Sequence, residues 1–155
     1  MKKVFFASLF GILLFVNNSC VKNEVCKNKS VDSERASIAG YASANGIAGT
    51  EHSSGVCYQI INAGSGPTPT GSSTVSVKYS GKLLNGSIFD NQTATAVSVN
   101  LGQVIQGWKI GLPLIQKGGK IKLIIPSSLG YGCNGFGTVP ANSILYFEID
   151  LIDVN

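Results

Sequence analysis

The chain has 155 residues, 44% of them hydrophobic and only 13% charged, with a formal net charge of +4. That length suits one compact domain with a tail, and so slight a positive excess excludes a nucleic-acid surface. One histidine, His52, and four cysteines at spacings unlike those of zinc sites leave no basis for a metal centre, and no cofactor is expected.

At the amino end, Lys2 and Lys3 precede an apolar run over residues 4–16, followed by Asn17-Asn18-Ser19-Cys20. A basic end, a run too short to span a bilayer comfortably and a small residue at the cut read as a secretory signal over residues 1–19. With Cys20 just after the cut, the segment resembles a bacterial lipoprotein signal, departing from it at Asn17 and Asn18. That resemblance implies lipid on Cys20 and an outer-membrane lipoprotein facing the periplasm. A retained N-terminal anchor is the alternative. Without the two leader lysines the formal charge falls to +2. Lipidation of Cys20 leaves Cys26, Cys57 and Cys133 in an oxidising compartment, with room for one internal disulfide and one spare thiol. Spacing does not say which two pair.

Residues 20–31 are polar and read as a tether. Asp32 or Ser33 is placed to cap a helix running to Asn45, with Ile38, Tyr41 and Ala42 on one side and Asn45-Gly46 as its stop. Residues 32–53 thus form a short helical extension, packed on the domain or serving as a self-association arm; the chain is expected to be a monomer. From Gly55 the apolar period becomes two, over a domain spanning residues 54–155. Strands are expected over residues 56–61 and 74–83, the second with Val75, Val77 and Tyr79 on one face. Asn85-Gly86 makes a hairpin turn into Ile88-Phe89-Asp90. A polar bend over residues 91–95 should interrupt before Val97, Val99 and Leu101 resume the alternation. A short helix over residues 106–112, limited by Pro113, precedes a strand through Ile121, Leu123 and Ile125. A Gly-rich loop over residues 127–141 leads to a last strand over residues 144–152 with Leu145, Phe147, Ile149 and Leu151 inward. About five antiparallel strands and one short helix result, an α+β arrangement in which the helix must cover the apolar face of the sheet.

The chemistry-bearing residues are few. No Ser or Cys sits in a recognisable nucleophile elbow, and His52 on a polar segment reads as solvated. Glu148 and Asp150 fall on the outward face of the last strand. Gly130-x-Gly132-x-x-Gly135 has the letters of a dinucleotide fingerprint, but no helix opens after it. Asp90 stands apart, facing Tyr79, Phe89, Trp108, Tyr131 and Phe147. It reads either as a turn-forming Asp or as the polar point of an aromatic basin, and such a basin suits an apolar group with a few placed contacts.

Val77-Lys78-Tyr79-Ser80-Gly81-Lys82-Leu83, then Asn85-Gly86-x-x-Phe89-Asp90, resembles the opening signature of FKBP-type peptidyl-prolyl cis-trans isomerases. So do Leu101-Gly102, Val104-Ile105-Gln106-Gly107-Trp108, Gly111-Leu112, Gly118, Ile125-Pro126, Tyr131-Gly132, Val139-Pro140 and Leu145-x-Phe147-x-Ile149-x-Leu151. The resemblance covers residues 54–155. It implies a half-wrapped antiparallel sheet around a short helix and rotation about X–Pro bonds in proline-containing polypeptides, with macrolides as further ligands.

Carried over by position, the substrate pocket comprises Tyr79, Phe89, Val104, Ile105, Trp108, Tyr131 and Phe147, with Val97 and Val139 at the rim. Trp108 is the floor, Tyr131 donates to a substrate carbonyl, and Ile105 offers its backbone N–H. The catalytic set is Asp90, Tyr131 and Tyr79, with Asp90 orienting Tyr79 or acting through its field. Val97 and Val99 stand where the family commonly has Phe, which thins one wall and places macrolide affinity in doubt before turnover. The alternative to an envelope folding enzyme is a binding or chaperone module with little turnover; an envelope structural protein has only Cys20 in its favour.

Overall fold

The computed structural model describes residues 25–155, so the expected signal, Cys20 and its lipid lie outside the described residues. The first element, α1 (Val31–Ala44), is capped by Ser30, whose side chain accepts from Ser33 N. The expected caps, Asp32 and Ser33, lie instead inside the first turn. There Asp32 supplies negative charge to the helix N-terminus and pairs with Arg35 at 2.8 Å. Asn45 ends the helix, and Gly46 turns away at φ 61°.

Six strands follow: β1 (Thr50–Glu51), β2 (Cys57–Asn62), β3 (Thr74–Leu83), β4 (Ile88–Asn100), β5 (Lys120–Ile125) and β6 (Leu145–Val154). They form one sheet in the order β1-β2-β5-β6-β3-β4, with every pairing antiparallel. The strand beyond the expected five is the two-residue β1, so the sheet reaches back into the segment read as a helical extension. Polar residues 91–95 do not break β4. They are absorbed by a register shift, where Val77 pairs with Val97 and Tyr79 with Gln92, so the strand bulges and continues.

A second helix, α2 (Gln106–Gly111), runs into a 3-10 turn over Leu112–Leu114 and lies against β5. It covers the main core: Val75, Val77, Trp108, Leu112, Ile121, Leu123, Leu145, Phe147, Ile149 and Leu151 are all buried in one cluster. Period two puts the intervening residues on the other face. Ile124 and Tyr146, paired across β5 and β6, join Ile38, Ala42, Ile47 and Cys57 in a second cluster beneath α1. The central strands are therefore covered by helices on both faces, while Glu148 and Asp150 point to Lys122 and Lys120.

Cys26 and Cys133 form a disulfide with Cα atoms 5.5 Å apart, and Cys57 is a buried free thiol. The expected tether is thereby fastened at Cys26 to the Gly-rich loop. His52 Nδ1 lies 2.9 Å from Ser54 Oγ in a local turn.

Candidate active site

The main core is not filled to its edge. On the side of α2 it opens into a hollow of about 360 Å³ lined by Tyr79, Asp90, Val99, Gln103, Val104, Ile105, Trp108, Tyr131, Phe136 and Phe147. A smaller one of about 200 Å³ adjoins it, between Phe89, Asp90, Tyr131, Phe136, Thr138 and Val139.

Each wall follows from its element. Strand alternation brings Tyr79 on β3 and Phe147 on β6 to the same side of the sheet. Phe89 and Asp90 are neighbours on β4 and would ordinarily point to opposite faces. A register shift there, with Gly81 opposite Asp90 but Lys82 opposite Ile88, leaves Phe89 as an extra residue, so that both line the smaller hollow. Trp108 comes from the first turn of α2, is 4% exposed and forms the floor. Beneath it the helix lies directly on β5. A Cβ at Gly107 would collide with Ile125, and one at Gly111 with Leu123.

The rings meet edge to face. Trp108 sits 5.0 Å from Tyr79 and 5.3 Å from Phe147 between ring centres, at 87° and 83°, and Phe89 meets Phe147 at 5.4 Å and 90°. Such T-shaped pairs are each worth about 0.5–1.5 kcal/mol beyond the area they bury. They fix the rings without filling the space above the indole. The indole Nε1 is buried and has no acceptor among the described residues. A lone buried donor of that kind costs about 1–3 kcal/mol, against the expectation that a buried Trp finds a partner.

Two phenols and one carboxylate supply the polarity. Tyr79 donates to Asp90 Oδ2 at 2.7 Å. Burial, then the Asp90 hydrogen bond and charge, hold the Tyr79 phenol far above its ordinary 10.0. Burial raises Tyr131 as well, aided by the charge of Asp90 but by no side-chain hydrogen bond. Both phenols are protonated at neutral pH, and among the described residues the Tyr131 hydroxyl has no hydrogen-bond partner, which leaves it able to donate to a ligand.

Of the residues singled out in the sequence, the larger hollow brings together Tyr79, Asp90, Val104, Ile105, Trp108, Tyr131 and Phe147. Phe89 and Val139 line the adjoining one. Val97 reaches neither: it pairs with Val77 and packs against the core, and Val99 two residues on forms that wall. Among the described residues no group of three His, Cys, Asp or Glu is placed to hold a metal.

The family model described as FKBP-type peptidyl-prolyl cis-trans isomerase matches residues 66–152. The chain belongs to that family. It is 47% identical over 105 residues to a probable FKBP-type isomerase of Haemophilus influenzae, which covers 66% of this chain and 44% of the relative. It is 47% identical over 104 residues to FkpA of Escherichia coli, with 66% and 38% covered. The chain thus spans less than half the length of these curated relatives. Among solved structures, FkpA from Escherichia coli superposes with a TM-score of 0.71 at 40% identity, covering 81% of this chain and 61% of that one. A peptidyl-prolyl cis-trans isomerase from Pseudomonas syringae pv. tomato gives 0.68 at 30% identity, covering 83% and 98%.

Within this FKBP-type domain, the sequence reading passed over Gln103 as a wall residue. It lies in a 3-10 turn, Leu101–Gln103, where no periodicity marks a face. Glu34 was missed altogether. It is 3% exposed on α1 and accepts from Ser127 N at 2.8 Å. Its only signal in the sequence is a charge in the helix's first turn, which ordinarily means solvent.

Proposed function

We propose that this chain is a peptidyl-prolyl cis-trans isomerase that turns X–Pro bonds in proline-containing polypeptides and assists folding in the cell envelope. One observation carries the reading: Trp108, Tyr79, Phe147, Tyr131 and Asp90 surround a single apolar hollow of about 360 Å³. Rotation about an X–Pro bond has a barrier of about 18–20 kcal/mol in general because it breaks amide resonance. That resonance puts negative charge on the carbonyl oxygen, so water stabilises the planar amide more than the twisted one. An apolar basin removes this preference, and a shape that suits the twisted amide lowers the barrier further, by about 1.4 kcal/mol for each tenfold in rate.

In this scheme the prolyl ring lies on Trp108. Tyr131 donates to a substrate carbonyl and the Ile105 N–H serves a second. Asp90 holds the Tyr79 hydroxyl and sets the field at the twisting bond. No proton is transferred and no covalent intermediate forms.

The disulfide supports an oxidising compartment, and the leader supports export with lipid on Cys20. Mass spectrometry of the mature N-terminus reads that modification directly. The valine wall at Val99 supports weaker macrolide binding than turnover.

A protease-coupled proline-peptide assay tests the enzyme reading. Isomerisation faster than the uncatalysed rate, lost in Trp108→Ala, is expected; an unaltered exchange rate with the folded protein would sink it. The exposed Phe136, 69% accessible at the rim, favours a second reading as a holding module for apolar chains, which would leave that rate untouched.

A further inference from the structure

Tyr131 stands in a loop held from within by backbone bonds, Gly130 N to Ser127 O at 3.0 Å, Gly135 N to Gly132 O at 3.4 Å and the paired Phe136 and Val139. Gly130, Gly132, Gly135 and Gly137 surround it, and glycine-rich backbone loses much freedom when it is ordered. Its ring touches Phe136 of the same loop at 5.1 Å and, outside the loop, Phe89 at 6.5 Å between centres. The loop is also fastened from the far side by residues 26–34. Ser127 N, four residues before Tyr131, donates to the buried Glu34 carboxylate at 2.8 Å. Cys133, two residues after it, is joined to Cys26 and donates its N–H to Asn28 Oδ1 at 2.8 Å. Asn142 closes the loop. It donates its own N–H to Gly132 O at 2.8 Å, and its side-chain Oδ1 accepts from Lys29 N at 3.3 Å. The fit is close, since a Cβ at Gly132 would stand 2.6 Å from Asn28 Oδ1.

We propose that residues 26–34 are a working part of the isomerase site: Cys26, Asn28 and Glu34 are positioning residues that fix Tyr131 over the hollow. None of them falls within the family match at residues 66–152. The proposal rests on the isomerase reading above. The physical reason is reach. A hydrogen bond from Tyr131 to a substrate carbonyl is short-ranged, so a displacement of about 1 Å forfeits most of it.

The test is a cycle on the full chain in the protease-coupled assay, combining Cys26→Ser/Cys133→Ser with Tyr131→Phe. Tyr131→Phe alone should lower kcat/KM about fivefold, the worth of one neutral hydrogen bond. Removing the disulfide should lower it by a similar factor. If the clamp acts through Tyr131, the combined variant is no slower than the slower single one. Losses that multiply would mean general loosening and would overturn the proposal. Should the cysteine variant not fold, Asn28→Ala takes its place in the same cycle with the same two readings, and Glu34→Gln should retain more activity than Glu34→Ala.

If the wild-type chain does not turn over, the isomerase reading fails and hydrogen exchange decides the clamp separately. In Asn28→Ala, faster exchange confined to the amides of residues 130–136 supports it, and unchanged protection there overturns it.

Discussion

Two tyrosine–carboxylate pairs of nearly equal length lie on opposite faces of the sheet. Tyr79 donates to Asp90 at 2.7 Å beside α2, and Tyr146 donates to Glu148 at 2.6 Å beside α1. Burial and the carboxylate raise both phenols far above 10.0. Locally they are the same device, yet only one opens onto an aromatic hollow. Tyr146 packs against Tyr41 at 5.5 Å under a 14-residue helix, and the hollow of about 320 Å³ beside that helix, lined by Ile38, Ala42, Ile47 and Cys57, does not include it. Tyr79 packs against Trp108 under a helix of six residues, too short to cover the sheet to its edge. A carboxylate-bound phenol therefore says nothing of chemistry by itself. What distinguishes the two is whether the pair lines the hollow its helix leaves: Tyr79 and Asp90 do, Tyr146 and Glu148 do not.

The largest effect should come from the floor. Trp108→Ala is expected to cost about 3–5 kcal/mol of stability, as large-to-small changes in aromatic cores do, and to abolish peptide turnover. Urea unfolding and the coupled assay read the two losses. Asp90→Val removes the acceptor of the Tyr79 hydroxyl and should slow isomerisation about tenfold, since hydrogen bonds to charged groups are worth about 1.5–3 kcal/mol. An unchanged rate in a folded Asp90→Val protein would take Asp90 out of the catalytic set. On the other face, Ile124→Val should cost about 1 kcal/mol by urea unfolding and leave kcat/KM as it was. A parallel fall in kcat/KM would mean that the two faces are not separable.

The smallest effect is on pH dependence, where both pairs act alike. A phenol whose folded pKa lies above its unfolded 10.0 keeps its proton in the native state after the unfolded chain has released it. Stability from this source is complete below 10.0 and declines as pH rises beyond it. Urea midpoints stepped through that range should fall, with a shallower slope in Tyr79→Phe and again in Tyr146→Phe. Equal slopes in all three proteins would contradict the assignment.

Most of the sheet and the α2 side of the site were legible because each rests on a strong local signal. Val75, Val77 and Tyr79 alternate cleanly, Asn85-Gly86 marks its turn, and Trp108 is the one indole beside two branched residues. On the α1 side the helix and its apolar residues Ile38, Tyr41 and Ala42 were legible too, but its docking was not. Its helix is weakly amphipathic, and what docks it is Glu34 on Ser127 and Cys26 on Cys133, contacts spanning 93 and 107 positions that no local pattern encodes. Val97 was misplaced for a related reason. Period two puts Val97 and Val99 on one face, but their positions relative to α2 depend on a bulge, which alternation cannot count.

Gly107 and Gly111 set a dimension that no wall residue controls. With only hydrogens at these two positions, the helix backbone sits directly on the Ile125 and Leu123 side chains and the indole rides low. A methyl at either place would jack the helix upward and make the basin shallower without altering one residue in contact with a guest. Depth here is built from underneath, so a survey limited to the rim would never find what governs it.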